Sequence, residues 1–143
     1  MFFEQIKVNG TMVPHEIVSV KGDGSCLFRA IAHHVYGTEQ MHSEVRYEIV
    51  EFVSDHWDSY AVMTYDASSN GDNYSGKELY KADMTRTECY GRLCESVAAG
   101  NLYPFLFEVY NNGMLLQAFG DNNNPVVRLL FSGQDLSNGH FDA

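Results

Sequence analysis

Leu27, Ile31 and Val35 recur at i, i+4 and i+8, a spacing that predicts an amphipathic helix starting near Cys26 and closed by Gly37. A second helix is predicted from Ser43, with Val45, Ile49, Phe52 and Val53 on its apolar face and Glu44, Arg46, Glu48 and Glu51 on its wet one. Ahead of these, residues 1–20 read as an apolar lead-in. Short extended pieces are expected around 6–8 and 17–20, punctuated by Asn9-Gly10 and Pro14. Residues 60–73, rich in Ser, Asn, Asp and Gly, read as loop. Ser75-Gly76-Lys77-Glu78 fits a capping box opening a short helix through Tyr80. Another helix is predicted over 90–99, with Leu93 and Val97 at i, i+4 and Gly100 as its stop.

The last third changes period. Segments 105–110 and 114–119 flank Asn111-Asn112-Gly113 and read as a hairpin, and 126–131 as a further strand. A polar loop over 132–138 then leads to a final short strand at Gly139-His140-Phe141-Asp142. Helices first and strands last predict an α+β domain, its helices packed on a small, mostly antiparallel sheet. The length of 143 residues suits one domain, 1–143, and no internal repeat or low-complexity tract divides it.

Composition narrows the function classes. A formal charge of −10 argues against general nucleic-acid binding, which needs clustered Lys and Arg, and suits a basic partner. No apolar run approaches the roughly 20 residues of a membrane span, and the start lacks a basic n-region followed by an apolar h-region. Cys26, Cys89 and Cys94 are an odd number without disulfide-rich spacing, so a reducing, cytoplasmic compartment is expected. They form no Cys-x-x-Cys pair, and no metal or other cofactor is expected. The expectation is a monomer.

Cys26 draws the chemical reading. It follows the turn Gly22-Asp23-Gly24-Ser25 at a helix start, where free N–H groups and the helix dipole favour thiolate. Such a turn also presents amides to a developing oxyanion. It is no phosphate loop, since no Lys-Ser/Thr follows. The plainer alternative is a glycine turn ahead of a helix whose cysteine is simply buried.

A nucleophilic cysteine needs a base, and the base an orienting group. His15 has only Pro14 beside it, and His33 and His34 sit one to two turns along Cys26's own helix. Three histidines have an acid two residues on: His42/Glu44, His56/Asp58 and His140/Asp142. On a helix, i and i+2 diverge by about 200° around the axis. On a strand they share one face, which favours His140 and Asp142. Cys89 and Cys94 read as core or partly buried thiols, Trp57 as core, and Arg29 and Arg46 as residues of wet helix faces. The 60–74 loop is long enough to border a cleft.

Asp23-Gly24-Ser25-Cys26-Leu27-Phe28-Arg29-Ala30-Ile31 resembles the nucleophile motif of the ovarian tumour (OTU) family of cysteine proteases, usually Asp-Gly-Asn-Cys-Leu-Phe-Arg-Ala. Gly139-His140-Phe141-Asp142 is similar to that family's C-terminal His-aromatic-Asp/Asn motif. Tyr90-Gly91, with Glu95 and Ala98, more loosely resembles its Trp-Gly-Gly…Glu-Leu-x-Ala helix start. The resemblance spans residues 17–142. It implies a papain-like OTU fold and hydrolysis of the peptide or isopeptide bond after ubiquitin's C-terminal Gly-Gly, with ubiquitin or polyubiquitin as partner. It carries over Cys26 as nucleophile, His140 as base and acid, Asp142 as orienting acid, and Asp23 as the residue shaping the oxyanion loop. Ser25 stands where Asn is usual, a swap expected to suit a surface. Tyr90 and Arg92 replace the Trp and second Gly, which bears on substrate contacts rather than on the chemistry. The acidic surface is expected to steer ubiquitin's Arg-rich tail. Alternatives within the same site are a catalytically silent ubiquitin-binding module and a papain-like protease acting on a polyprotein or another ubiquitin-like modifier. With its end one residue after Asp142, the chain is expected to be a domain of a longer protein, such as a viral or mobile-element polyprotein.

Overall fold

A computed structural model describes residues 2–135 and 138–143. The chain opens with a hairpin, β1 (Phe2–Val8) and β2 (Thr11–Ile17), paired in register from Phe2↔Ile17 to Val8↔Thr11 through the Asn9-Gly10 turn. Helices follow: α1 (Cys26–Tyr36), α2 (His42–Asp55), the short α3 (Trp57–Tyr60), α4 (Lys77–Met84) and α5 (Leu93–Leu102). Strands β3 (Leu106–Asn111), β4 (Met114–Phe119), β5 (Val126–Asp135) and β6 (Asn138–Asp142) complete it. They form one sheet in the order β4-β3-β5-β6, with β3–β4 and β5–β6 antiparallel and β3–β5 parallel. The fold is α+β and its main sheet mixed, with most pairings antiparallel.

Helix α1 is the central element. Residues 26–32 are all buried, so its first two turns have no wet face. Leu27, Phe28 and Ile31 join the core formed with Val45, Ile49 and Val53 of α2 and Phe107, Val109, Leu129 and Phe131 of the sheet. Gly37, in the left-handed conformation, ends the helix. The N-terminal hairpin lies against the other side of the sheet. Arg128 of β5 donates to His15 Nε2 of β2 at 3.2 Å, and the Lys7 amide donates to the Gly113 carbonyl at 2.8 Å.

Several expectations change. The lead-in forms two full seven-residue strands, with Pro14 opposite Gln5 in a two-stranded sheet that leaves edges free to take a proline. Two 3₁₀ turns, at 61–63 and 67–69, occupy the 60–73 loop. Ser75 caps nothing: Gly76 precedes α4, which runs on to Met84. Helix α5 starts at Leu93, three residues later than expected, where the Glu95 carboxylate accepts from the Arg92 amide at 2.8 Å. β5 extends into the expected 132–138 loop, of which Leu136 and Ser137 lie outside the described residues.

Gly100 does not stop α5; it lies inside it. A Cβ there would fall 2.6 Å from the Phe119 carbonyl carbon and 2.6 Å from the Gly120 amide nitrogen, both backbone atoms. Glycine is thus set by close approach of helix to strand. Gly100→Ala gains about 1 kcal/mol of helix propensity but forces an overpacking that costs about 1–3 kcal/mol. With rigid backbone as the obstacle, the cost should win. Urea unfolding is expected to show a lower midpoint for Gly100→Ala, and a raised midpoint would contradict the packing argument.

Candidate active site

Strand β6 brings the two C-terminal candidates together. His140 and Asp142 share one face, and His140 Nε2 lies 2.8 Å from Asp142 Oδ1. The same oxygen accepts the Val20 amide at 3.1 Å, and Val18 and Ala143 exchange two backbone bonds of 3.0 Å, so β6 is pinned to the segment leading into the Cys26 turn. Between the two polar residues, Phe141 points the other way. It is buried, with its ring 5.0 Å from that of Phe131 and 6.4 Å from that of Tyr90. An ionised carboxylate only accepts, so the 2.8 Å contact assigns the ring hydrogen to Nε2 and leaves a lone pair on Nδ1. Nδ1 is on the side of Gly22, 3.8 Å from where a Cβ on that glycine would lie.

Cys26 is the first residue of α1 and only 1% exposed. Burial pushes its thiol up from the ordinary range. The nearby backbone N–H groups of Phe141 and Leu27 pull it partly back, while the carboxylates of Asp23 and Asp142 add to the rise. The helix start alone predicted the opposite direction, because it took no account of the enclosure. The Phe141 amide that acts on Cys26 lies between His140 and Asp142 on β6.

The turn ahead of Cys26 is organised by Asp23. Its Oδ1 accepts the Ser25 amide at 2.9 Å, and Arg29 forks onto both carboxylate oxygens at 3.2–3.3 Å before reaching Glu39 at 3.3 Å. Burial alone would raise the Asp23 carboxyl, but Arg29, the Ser25 amide and the Lys21 charge outweigh it and hold the group below its usual value. Three of the four amides from 23 to 26 are used within the turn. The Asp23 N–H donates to the Lys21 carbonyl at 3.1 Å and the Cys26 N–H to the Asp23 carbonyl at 3.2 Å, while Ser25's takes the carboxylate. The Gly24 N–H has no acceptor among the described residues. Gly24 also meets Glu88: a Cβ would fall 2.1 Å from the Glu88 carbonyl oxygen, so only glycine lets the turn pack there.

Three surface expectations are overturned. Ser25 is 1% exposed; its hydroxyl donates to the Thr87 carbonyl at 2.8 Å, which leaves α1 without a side-chain cap. Arg29 is buried along α1, with its guanidinium reaching the half-exposed Asp23 carboxylate. Arg46 is 2% exposed and reaches into the turn from α2. Its position was readable: 46, 49, 50 and 53 fall on one helical stripe, and the other three are Ile49, Val50 and Val53. Cys94 is buried and Cys89 half-buried, as expected. The residues bordering the loop expected at a cleft edge, Tyr65, Asp66 and Tyr74, line a cavity of about 240 Å³ with Cys89, Tyr90 and Arg92. A separate cavity of about 250 Å³ lies between the hairpin and the sheet, lined by His15, His34 and Arg128, and contains none of the four candidate residues. Among the described residues, no group of three or more His, Cys, Asp and Glu is placed to hold a metal ion.

A family model described as "Vertnin, OTU domain" matches residues 17–97, more than half of the chain. This chain belongs to the OTU-domain family. The matched span includes Asp23 and Cys26 and stops before His140 and Asp142. "Deubiquitinase otu" of Drosophila melanogaster is 31% identical over 124 residues, 85% of this chain and 13% of that protein. The chain spans only 13% to 20% of the first curated relatives it matches. Among solved structures, the OTU domain of OTUD1 superposes with a TM-score of 0.72 at 22% identity, covering 89% of this chain and 83% of that one. An OTU domain solved in complex with ubiquitin gives 0.69 at 18% identity, covering 90% and 67%. At these identities the structural likeness shows the fold, which is that of an OTU domain. No helix among the described residues is long and apolar enough to cross a membrane.

The Asp23–Arg29 pair has a pH signature. Asp23 titrates lower in the folded chain than its ordinary 3.8, so its stabilisation is present above that value and is lost as pH falls through the folded value. Asp23→Asn is expected to lose about 1 kcal/mol at pH 7 in urea unfolding, a magnitude suited to a partly exposed pair. The gap between variant and parent should shrink as pH falls below 3.8. A gap that grew towards acid would contradict the assignment.

Proposed function

We propose that this chain is a cysteine-type deubiquitinase, hydrolysing the peptide or isopeptide bond after the C-terminal glycine of ubiquitin. The observation that carries the reading is the His140 Nε2–Asp142 Oδ1 contact of 2.8 Å, on a strand whose intervening Phe141 amide lies near enough to Cys26 to favour its thiolate. Family membership, a relative named as a deubiquitinase and a fold neighbour solved with ubiquitin supply the substrate class.

In this reading Cys26 rests as a thiol, since burial raises it, and His140 Nδ1 removes its proton as sulfur attacks the scissile carbonyl. Asp142 holds the imidazole in the tautomer with Nδ1 free and stabilises the imidazolium that forms. Charge moves to the carbonyl oxygen. The Gly24 N–H is available to it, together with whichever of the longer Asp23 and Cys26 bonds is exchanged for the substrate. Collapse breaks the C–N bond, and the proton on His140 passes to the leaving lysine amine, giving a thioester on Cys26. His140 then takes a proton from water as hydroxide attacks the thioester, and the carboxylate leaves as Cys26 regains its proton. The net charge of −10 favours encounter with a basic peptide tail. The burial of Cys26 favours a second reading, a module that binds ubiquitin without cutting it.

Hydrolysis of ubiquitin carrying a C-terminal coumarin amide separates the two. Activity is expected in the parent chain, none in Cys26→Ala, and a loss of roughly a thousandfold or more in His140→Ala. Asp142→Asn should lose about 10²- to 10⁴-fold through the wrong tautomer. Ubiquitin binding with no turnover in the folded parent would favour the silent module.

A further inference from the structure

Arg46 places a charge in the interior without a carboxylate opposite it. Among the described residues it has no ion-pair partner, and its acceptors are mostly main-chain carbonyls. Nη1 donates to Met84 O at 2.9 Å. Nη2 lies 2.8 Å from Cys89 O, 3.0 Å from Thr87 O, 3.1 Å from Ser25 Oγ and 3.3 Å from Gly24 O. The guanidinium also covers the Phe28 ring at 4.2 Å. Two hydrogens on Nη2 serve four acceptors, so these are shared bonds that tie four groups to one point. The acceptors belong to two segments distant in sequence: the turn carrying Cys26 and residues 84–89.

A buried charge is costly, and leaving one incompletely paired costs more. Packing alone would be satisfied by an apolar residue, because 46 falls on the stripe that Ile49, Val50 and Val53 fill. What the guanidinium adds is direction. Ser25 Oγ donates to Thr87 O and receives from Arg46, so arginine, serine and the Thr87 carbonyl form one closed set. The Glu88 carbonyl abuts Gly24 within that set, at a spacing no side chain tolerates. The orientation of the Gly24 and Cys26 peptide planes, hence of the amides that face a reacting carbonyl, follows from where this clamp holds Gly24 and Ser25.

We propose that Arg46 is a positioning residue for acyl transfer, clamping the turn from Gly24 to Cys26 against residues 84–89 so that its amides meet the oxyanion. This rests on the deubiquitinase reading for its chemistry, and on the clamp geometry alone for its structural part. Lysine cannot replace it, since a single ammonium lacks the planar fork and cannot serve Met84 O and the Nη2 acceptors at once. Ser25→Ala removes the hydroxyl link while leaving the arginine, and should show the same defect more weakly.

Arg46→Lys and Ser25→Ala are compared with the parent for coumarin-amide hydrolysis, for Cys26 alkylation by chloroacetamide and for urea unfolding. Arg46→Lys is expected to lower kcat about 100-fold with KM within about threefold, and Ser25→Ala to lower kcat about tenfold. Alkylation forms no oxyanion, so its rate should stay within about threefold of the parent in both variants. A kcat within about threefold of the parent in a folded variant overturns the proposal, as does a loss shared equally by hydrolysis and alkylation. If Arg46→Lys does not fold, Ser25→Ala decides by the same criteria. If the parent itself fails to hydrolyse ubiquitin, the deubiquitinase reading falls and amide hydrogen exchange tests the clamp. Exchange at the amides of residues 25 and 26 should then rise about tenfold or more in Ser25→Ala while Val109 and Leu129 stay unchanged. Unchanged exchange in the turn would overturn it.

Discussion

The register of β6 against β5 is the constraint on which the candidate site depends. Ser132 opposes His140 and Phe131 opposes Phe141. Because side chains alternate along a strand, a slip of one residue would turn His140 and Asp142 into the core and Phe141 out towards the cysteine. Phe141 holds the register from the inside, buried against Phe131, while the Val20 amide and the Val18–Ala143 pair hold it from the side. Packing on one face thus positions polar chemistry on the other. The same strand reaches the helix start, since its Phe141 amide lies near enough to Cys26 to lower its thiol.

Around that contact the fold spends charge, two buried arginines among it, on geometry rather than on packing. Asp23, Arg29 and Glu39 form a chain that shapes the turn before α1, and Arg46 ties the far side of the turn to residues 84–89. Arg29 and the Arg46 Nη atoms are held by forked or shared bonds, the condition under which a buried ion is tolerable, while Arg46 Nε is buried without a hydrogen-bond partner among the described residues. Cys26 is the counterpart. Enclosure raises its thiol even though two nearby amides pull it back, so the reactivity assigned to it depends on a base taking the proton during attack and not on a standing thiolate.

Much of this was readable along the chain. The 3.6-residue period placed α1 and α2, Asn112-Gly113 placed the β3–β4 turn, and period two put His140 and Asp142 on one face. What escaped is contact between distant segments. The parallel pairing of β3 with β5 leaves no local periodicity, and Gly100 reads as a helix stop until β4 is packed against it. Pro14 argued against a strand, although the two-stranded hairpin leaves edges where a proline is tolerated. Charge misled most: Arg29 and Arg46 were read as wet, when seven consecutive buried residues in α1 and the stripe position of Arg46 in α2 placed both inside. Ser25 looked surface-compatible for a similar reason, because its partners Thr87 and Arg46 are 62 and 21 residues away.

The most direct test of Cys26 as the nucleophile towards ubiquitin is covalent capture. The chain is incubated with ubiquitin bearing a C-terminal propargylamide, and the product is measured by intact mass and peptide mapping. The account expects one ubiquitin added per chain, on the peptide containing Cys26, and no adduct in Cys26→Ala. Binding without an adduct, or an adduct carried by Cys89, would contradict it.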